Sequence, residues 1–306
     1  MIRARDVVSP SGGHGEFMDP GAIAIHLLNG LQYGLLLFLV SAGLTLIFGI
    51  LGVINLAHGS FYMIGAYLAY WLSEKTGSLA LAVALALPAS LMLGWLVERF
   101  AISFLYQRDH LHQVLLTYGL ILIFNEFQRM LWGNDVHGVV LPAALVGVVQ
   151  LTELQSYPVY RLFISAVCIL VAVGMYLVIH GTRIGMMIRA GSSNREMVQL
   201  LGIDVGRLFS VVFSAGAALT ALAGMLAAPI NSVYPGMGEN ILIISFVVVV
   251  IGGIGSIKGA FIGSMMIGLA DTFGKVMVPE LSSMVVYALM AAVLLWRPRG
   301  LFGVKT

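Results

Sequence analysis

The segment FGILGVINLAHGSFYMIGAYLAY, residues 48–70, decides what kind of fold this chain adopts. It is apolar almost throughout, yet glycines interrupt it and Asn55 and His58 lie near its middle. Backbone without helical hydrogen bonds is tolerated at membrane depth only where protein or a water-filled cavity satisfies it. The segment therefore predicts either a broken helix that lines a polar pathway, or polar side chains that cap and join neighbouring helices.

The composition of the whole chain is that of a membrane protein. Of its 306 residues, 59% are hydrophobic and only 10% are charged, whereas a soluble domain carries roughly a quarter charged residues. Charged residues are absent from long windows, such as those between Asp19 and Glu74 and between Arg207 and Glu239. Apolar stretches of about 18 or more residues are long enough to cross a bilayer as helices. The net charge of +2 is too small to suggest nucleic acid as a partner.

The chain divides into a polar tail and one membrane domain. Residues 1–21 predict a flexible tail and lack the apolar region of a cleavable signal, and residues 22–303 predict a single transmembrane domain. We expect an all-α polytopic bundle of about eight or nine spans with broken or re-entrant helices. The helices are predicted at residues 22–49, 59–73, 78–98, 113–132, 160–181, 207–228, 241–254, 259–276 and 282–297.

A second glycine-rich segment, FVVVVIGGIGSIKGAFIGSMMIG at residues 246–268, repeats the design of the first. An offset of 200 residues superposes Gly52 on Gly252. Broken helices in matching positions of a duplicated chain point to the central site of a transporter, and chance similarity of glycine-rich sequence is the alternative. The residues predicted to line a substrate pathway are Asn55, His58, Gly252, Gly253 and Gly255.

The basic segment TRIGMMIRAGSSNREMVQLLGIDVGRL, residues 182–208, predicts a short amphipathic helix between two spans. Ser193 or Asn194 is a good helix N-cap, Glu196 follows in the first turn, and Gly202 is a typical helix end. The arginines of this segment and of the last residues place both on the cytoplasmic side. Such a helix lies either in the membrane interface or in a groove of a partner protein.

Taken together, these segments resemble the permease subunits of bacterial branched-chain amino acid ABC importers, a family that also includes urea-importer permeases. GLTLIFGILGVINLAHGSFYMIGAY resembles the N-terminal signature of that family, and RAGSSNREMVQLLGIDVGRL resembles its cytoplasmic coupling loop. IGGIGSIKGAFIGSMMIGL and the closing WRPRGLFG complete a match that covers about residues 22–303. The chain departs from the family at Ser60, where members often have Glu, and at Met197 and Val198, which replace two alanines of the coupling pattern.

The resemblance implies the permease subunit of an ATP-driven importer for leucine, isoleucine, valine or related small polar solutes. Its implied partners are a second related permease chain, two ATP-binding subunits and a periplasmic solute-binding protein. The resemblance also implies a multi-pass chain in the bacterial inner membrane with a cytoplasmic C-terminus. Residues 183–205 then form the coupling loop. The residues expected to couple it to the ATPase are Arg189, Asn194, Arg195, Glu196 and Gly202.

Two other classes of function remain to be weighed on the residues alone. An ion-coupled secondary carrier usually keeps an ionisable group in mid-membrane, but Glu126 and Asp271 lie toward predicted helix ends, where we interpret them as interfacial. An intramembrane enzyme would need a nucleophile with its base, or a cluster of metal ligands, and the sequence offers neither. We therefore expect a transport protein without catalytic residues, metal or cofactor, and keep the carrier as the alternative.

Overall fold

The computed structural model describes residues 20–106, 108–152, 155–193 and 195–303, and most of these residues are helical. A small antiparallel hairpin, β1 (Val148–Thr152) and β2 (Gln155–Pro158), precedes the fifth helix. The helices of the described part are α1 (Pro20–Leu51), α2 (His58–Thr76), α3 (Leu79–Phe100), α4 (His110–Trp132), α5 (Val159–Gly181), α6 (Arg183–Ser193), α7 (Arg195–Leu200), α8 (Val205–Ala227), α9 (Met237–Gly252), α10 (Ile257–Met277) and α11 (Ser282–Trp296).

The fold is the predicted all-α polytopic membrane bundle. In the described residues, seven helical segments are long and apolar enough to cross a membrane: α1, α3, α4, α5, α8, α10 and Pro279–Trp296, which contains α11. The apolar window of α1 is 89% buried and that of α8 is 72% buried, whereas the windows of α4 and α5 are only 17% buried. The helices α1 and α8 therefore form the centre of the bundle, and α4 and α5 present apolar side chains outward, as lipid requires.

The bundle consists of two similarly packed halves, α1–α4 and α8–α11, joined by α5–α7. The central helices α1 and α8 run antiparallel, and a Cβ added at Gly43 would lie 2.5 Å from the carbonyl oxygen of Gly216. The helix α10 packs along α1 as α3 packs along α8. Matching α1 with α8 and α2 with α9 pairs Gly59 with Gly238, so the predicted offset that superposes Gly52 on Gly252 is wrong. That offset matched glycines at two helix ends with different places in the fold.

The helices α2 and α9 both begin inside the bundle. After α1 ends at Leu51, Gly52 adopts a positive φ of 67° and the chain returns to His58, whose Nε2 lies 3.1 Å from the carbonyl oxygen of Val40. Val40 lies three turns before the end of α1, so the return covers roughly 16 Å along the helix axis. At the same place, a Cβ added at Gly59 would lie 2.1 Å from the carbonyl oxygen of Gly238, at the start of α9. The predicted broken helices are confirmed.

The predicted break between α9 and α10 is closed by the end of the chain. Gly253 and Gly255 adopt positive φ angles of 98° and 79°. The backbone amides of Leu301 and Phe302 donate hydrogen bonds of 2.8 and 3.0 Å to the last carbonyls of α9, those of Ile251 and Gly252. The WRPRGLFG segment thus satisfies backbone groups that a helix end would otherwise leave unpaired.

The helices α6 and α7 lie together at one end of the bundle, which we call the α6 end. The expected helix α7 is present and Gly202 follows it with a positive φ of 79°. The helix α6 was not predicted, although Thr182 begins it as an N-cap and accepts a hydrogen bond of 3.1 Å from the amide of Gly185. Asn194 and most of the predicted tail, residues 1–19, lie outside the described residues, and α1 begins at Pro20.

The contact between the starts of α2 and α9 generates a stability prediction. In Gly238→Ala the added Cβ would lie 2.4 Å from the carbonyl oxygen of Gly59, so the two helices must separate. We expect the free energy of unfolding to fall by about 1–3 kcal/mol, the usual effect of an overpacked core. The control is Gly119→Ala in α4, where a Cβ meets nothing within 4 Å. Thermal unfolding in detergent measures both variants, and equal midpoints would contradict the prediction.

Candidate functional site

A cavity of about 770 Å³ opens at the end of the bundle opposite α6. It lies between the first half of α1, the last turns of α10, the start of α9 and the loop 228–236 that precedes α9. Its volume is within the range of roughly 300–1,000 Å³ that is usual for small-molecule sites. The lining residues are His26, Asn29, Gln32, Tyr33, Leu36, Tyr62, Arg161, Ala227, Ile230, Asn231, Ser232, Tyr234, Met237, Asn240, Ile241, Ile244, Asp271, Thr272, Lys275 and Val276.

Charged groups of both signs line this cavity. On α10, Lys275 Nζ lies 2.6 Å from Asp271 Oδ2, and the same ammonium lies 5.7 Å from the centroid of the Tyr33 ring. The Asp271 side chain is 12% exposed and the Lys275 side chain is 62% exposed, so the carboxylate lies deeper than the ammonium. On α5, Arg161 Nη1 donates a 2.5 Å hydrogen bond to Asn29 Oδ1 of α1.

The remainder of the lining combines apolar side chains with uncharged polar ones. Leu36, Ile241 and Ile244 form an apolar part that continues into the core cluster of α1, α9 and α10. Gln32 also lines the cavity and is only 4% exposed, yet its side chain makes no hydrogen bond to another described residue. The cavity is therefore amphipathic, with ionic groups on α5 and α10 and an apolar wall on α1 and α9.

The predicted pathway residues Asn55 and His58 are fully buried and do not line this cavity. Asn55 Oδ1 accepts a 3.1 Å hydrogen bond from the amide of Ala57, and His58 Nε2 lies 2.6 Å from the hydroxyl oxygen of Thr220 in α8. These contacts join α1, α2 and α8. Asn55 Nδ2 and His58 Nδ1, however, are buried without a hydrogen-bond partner among the described residues, a situation that costs about 1–3 kcal/mol for each group.

The predicted glycines of the second break also lie outside the cavity lining. Gly252 packs against Gly259 of α10, and Gly253 packs against Gly303 near the end of the chain. Gly255 packs against Gly49, where a Cβ on Gly49 would lie 2.9 Å from the Gly255 Cα. The structure therefore brings the second break onto the last turn of α1, directly before the first break.

The predicted coupling segment forms a surface of α6 and α7 at the α6 end. The guanidinium of Arg189 donates a hydrogen bond to the carbonyl oxygen of Ile179, at the end of α5, and so holds α6 against that span. Val198 is buried against the bundle, whereas Leu200 and Leu201 are 83% and 72% exposed. Arg195 and Glu196 lie in α7, but their side chains, like the whole of Asn194, are outside what the structure describes.

Sequence reasoning missed Arg161 and did not place Asp271 in a cavity. Asp271 lies near the end of α10, as expected, and the residue is buried where it lines the cavity. The available signal was a charged residue in the first turn of one apolar helix and another in the last turns of a second. Nothing in the sequence brings those two helices together, since their contact follows from the packing of α5 and α10 on α1.

A helical bundle with two interior helix starts and an amphipathic cavity has the architecture of a membrane transport protein. Residues 26–294 match the model of one family, described as the branched-chain amino acid transport system permease component, and the chain belongs to this family. The predicted family is confirmed.

Curated relatives match along nearly their full length. The chain is 32% identical to the high-affinity branched-chain amino acid transport system permease protein BraD of Pseudomonas aeruginosa, over 90% of this chain and 94% of BraD. It is 30% identical to LivH of Escherichia coli K12, with the same coverage. A probable LivH permease of Methanocaldococcus jannaschii is 29% identical over 89% of this chain and 90% of that protein. No solved structure matches significantly.

The single cysteine of the chain permits a direct test of which positions water reaches. Cys168 is buried, and Cys168→Ala gives a background for introducing new thiols. In that background we expect Thr272→Cys, on the cavity wall, to be modified completely by a small charged thiol reagent. Asn55→Cys should react far more slowly over the same exposure, because position 55 is fully buried in the described conformation. Mass spectrometry measures both, and modification at 55 but not at 272 would contradict the described cavity.

Proposed function

We propose that the chain is the permease subunit of an ATP-driven importer that passes branched-chain amino acids across the bacterial inner membrane. The observation that carries this proposal is the family match over residues 26–294, which includes both the cavity and the α6–α7 surface. The relatives that share almost the whole chain are named as permeases for the same class of amino acid. An amphipathic cavity suits such a substrate, because its charges need polar partners and its side chain needs an apolar wall.

The proposed orientation places the α6 end in the cytoplasm. The basic residues Arg99, Arg108, Arg183, Arg189, Arg207, Lys258, Arg297 and Arg299 lie in loops or helix ends there. Among the described residues, fewer basic ones lie toward the other end, namely Lys75, Arg129, Arg161 and Lys275. Short cytoplasmic loops carry an excess of Lys and Arg, so the C-terminus is proposed to be cytoplasmic. The cavity then opens to the periplasm, where a solute-binding protein would deliver substrate.

The proposed ATPase contact is the α6–α7 surface. Leu200, the last residue of α7, and Leu201, directly after it, are large exposed apolar side chains beside a basic loop, as in a helix that docks into a partner's groove. The residues proposed to couple this surface to the ATPase are Arg189, Asn194, Arg195, Glu196 and Gly202. Gly202 follows α7 and directs the chain into α8, so that a movement of α7 would reach α8. Two ATP-binding subunits and a second, related permease chain complete the proposed assembly.

The proposed pathway continues from the cavity past the interior starts of α2 and α9. Asn55 and His58 lie below the cavity with buried nitrogen atoms that have no partner among the described residues. Opening the bundle there would bring water or solute to those atoms and remove the cost of leaving them unpaired. Gly252, Gly253 and Gly255 are proposed to let the α9–α10 break move against the last turn of α1, because glycine permits such close contacts.

The energy source distinguishes this proposal from an ion-coupled carrier. Reconstituted in proteoliposomes with its partner permease and ATPases, the chain should import leucine only with ATP inside and the solute-binding protein outside. A proton or sodium gradient alone should drive no uptake, because the nucleotide-driven subunits supply the work. Uptake of labelled leucine measures both conditions. Gradient-driven uptake by this chain without any ATPase would support the carrier instead.

The ATPase contact has its own test in a pair of matched variants. Leu200→Asp places a charge where an apolar side chain is proposed to enter the ATPase groove. We expect the affinity for the ATPase to fall at least about tenfold, the effect typical of a central interface residue. The control Leu111→Asp changes a side chain that is 76% exposed at the start of α4. Co-purification and ATP-dependent uptake measure both variants, and equal retention of the ATPase would contradict the assignment.

A further inference from the structure

The cavity holds a guanidinium that has no acidic partner among the described residues. Arg161 donates to the neutral amide oxygen of Asn29, and it forms no ion pair with any residue that the structure describes. An ionisable side chain that faces a cavity within a membrane bundle is a candidate for contact with a substrate or an ion. The planar guanidinium is suited to a carboxylate, which it can bind through two parallel hydrogen bonds.

The cavity also holds a carboxylate with one oxygen available. Asp271 Oδ2 accepts from Lys275, whereas Oδ1 accepts no hydrogen bond from the described residues. The ion pair is one-sided, because the Lys275 side chain is 62% exposed at the mouth while the Asp271 side chain is 12% exposed. A second cation reaching Asp271 from inside the cavity would therefore meet an unoccupied acceptor.

Between these ionic groups and the core lie the features that suit an uncharged side chain. Leu36, Ile241 and Ile244 supply apolar wall, and Gln32 offers a buried amide without a partner among the described residues. A plain carboxylate would leave Asp271 Oδ1 unmatched, and a plain amine would leave Arg161 unmatched. A ligand that carries a carboxylate, an ammonium group and an aliphatic chain has a complementary group for each of these three features.

We propose that the cavity binds the zwitterion of an aliphatic α-amino acid, with Arg161 on the carboxylate, Asp271 on the ammonium group and the apolar wall around the side chain. The proposal rests on the proposed function and deepens it, because it assigns substrate contact to this chain and not only to the solute-binding protein. It also places the first contact on α5 and α10, away from the two breaks.

The first experiment compares three ligands on the full-length chain in neutral-lipid nanodiscs, by equilibrium binding. The ligands are leucine, isocaproate (leucine without its ammonium group) and isoamylamine (leucine without its carboxylate). We expect leucine to bind at least about tenfold more tightly than either analogue. Isocaproate loses the charge-assisted contact with Asp271, and isoamylamine loses the charge-assisted contact with Arg161. Isocaproate or isoamylamine binding as tightly as leucine would overturn the proposal without any variant being needed.

The second experiment assigns each charge to its residue. Arg161→Gln should weaken leucine and isocaproate by about 10-fold to 100-fold and leave isoamylamine unchanged. Asp271→Asn should weaken leucine and isoamylamine by a similar factor and leave isocaproate unchanged. The controls Arg129→Gln and Glu126→Gln remove an exposed ion pair of α4 that lies outside the cavity, and should change none of the three affinities. Equal effects of a cavity variant on all three ligands would overturn the assignment.

Transport by the assembled importer separates this proposal from the proposed function. ATP-driven leucine uptake whose KM is unchanged in Arg161→Gln and Asp271→Asn would overturn the binding site and leave the importer intact. Specific leucine binding by the chain, without ATP-driven uptake by the wild-type assembly, would overturn the importer function and leave the binding site intact. A raised KM in both variants, with the wild-type ligand order above, supports both.

Discussion

The backbone of α2 and α9 begins in the middle of an apolar bundle, and this constraint shapes the rest of the structure. The first amides of a helix have no partner within it, and lipid offers none. The two starts therefore need polar neighbours and close packing, which Asn55 provides for the amide of Ala57 and the paired Gly59 and Gly238 provide between the helices. His58 then joins α1, α2 and α8 at the same depth through the Val40 carbonyl and the Thr220 hydroxyl.

The same constraint accounts for the cavity. To reach an interior start, the chain has to leave the end of the preceding helix and return, which occurs in residues 52–57 before α2 and in residues 228–236 before α9. The second return segment contributes Ile230, Asn231 and Tyr234 to the cavity wall. Polar side chains are tolerated there because the space is open to water at that end.

Much of this architecture is visible in the sequence, since long charge-free windows, clustered glycines and helix caps are local signals. The broken helices, the basic loop before α8 and Gly202 as a helix end follow from such signals. The relation between the halves does not, because it follows from the packing that matches α1 with α8 and α2 with α9, and so Gly59 with Gly238. That Arg161 and Asp271 line the same cavity is likewise set by which helices pack on α1.

The two return segments occupy equivalent places in the halves but are packed differently. Residues 52–57, at the α6 end, are held in the bundle, where the amide of Ile54 donates a 3.3 Å hydrogen bond to Gln113 of α4 and Asn55 is fully buried. Residues 228–236 border an open cavity at the other end. In the proposed transport function, two halves of similar packing would exchange these arrangements, so that the first segment opens while the second closes. Asn55 Nδ2 and His58 Nδ1, which have no hydrogen-bond partner among the described residues, fit the proposed exchange, because water or solute admitted at the α6 end would satisfy them.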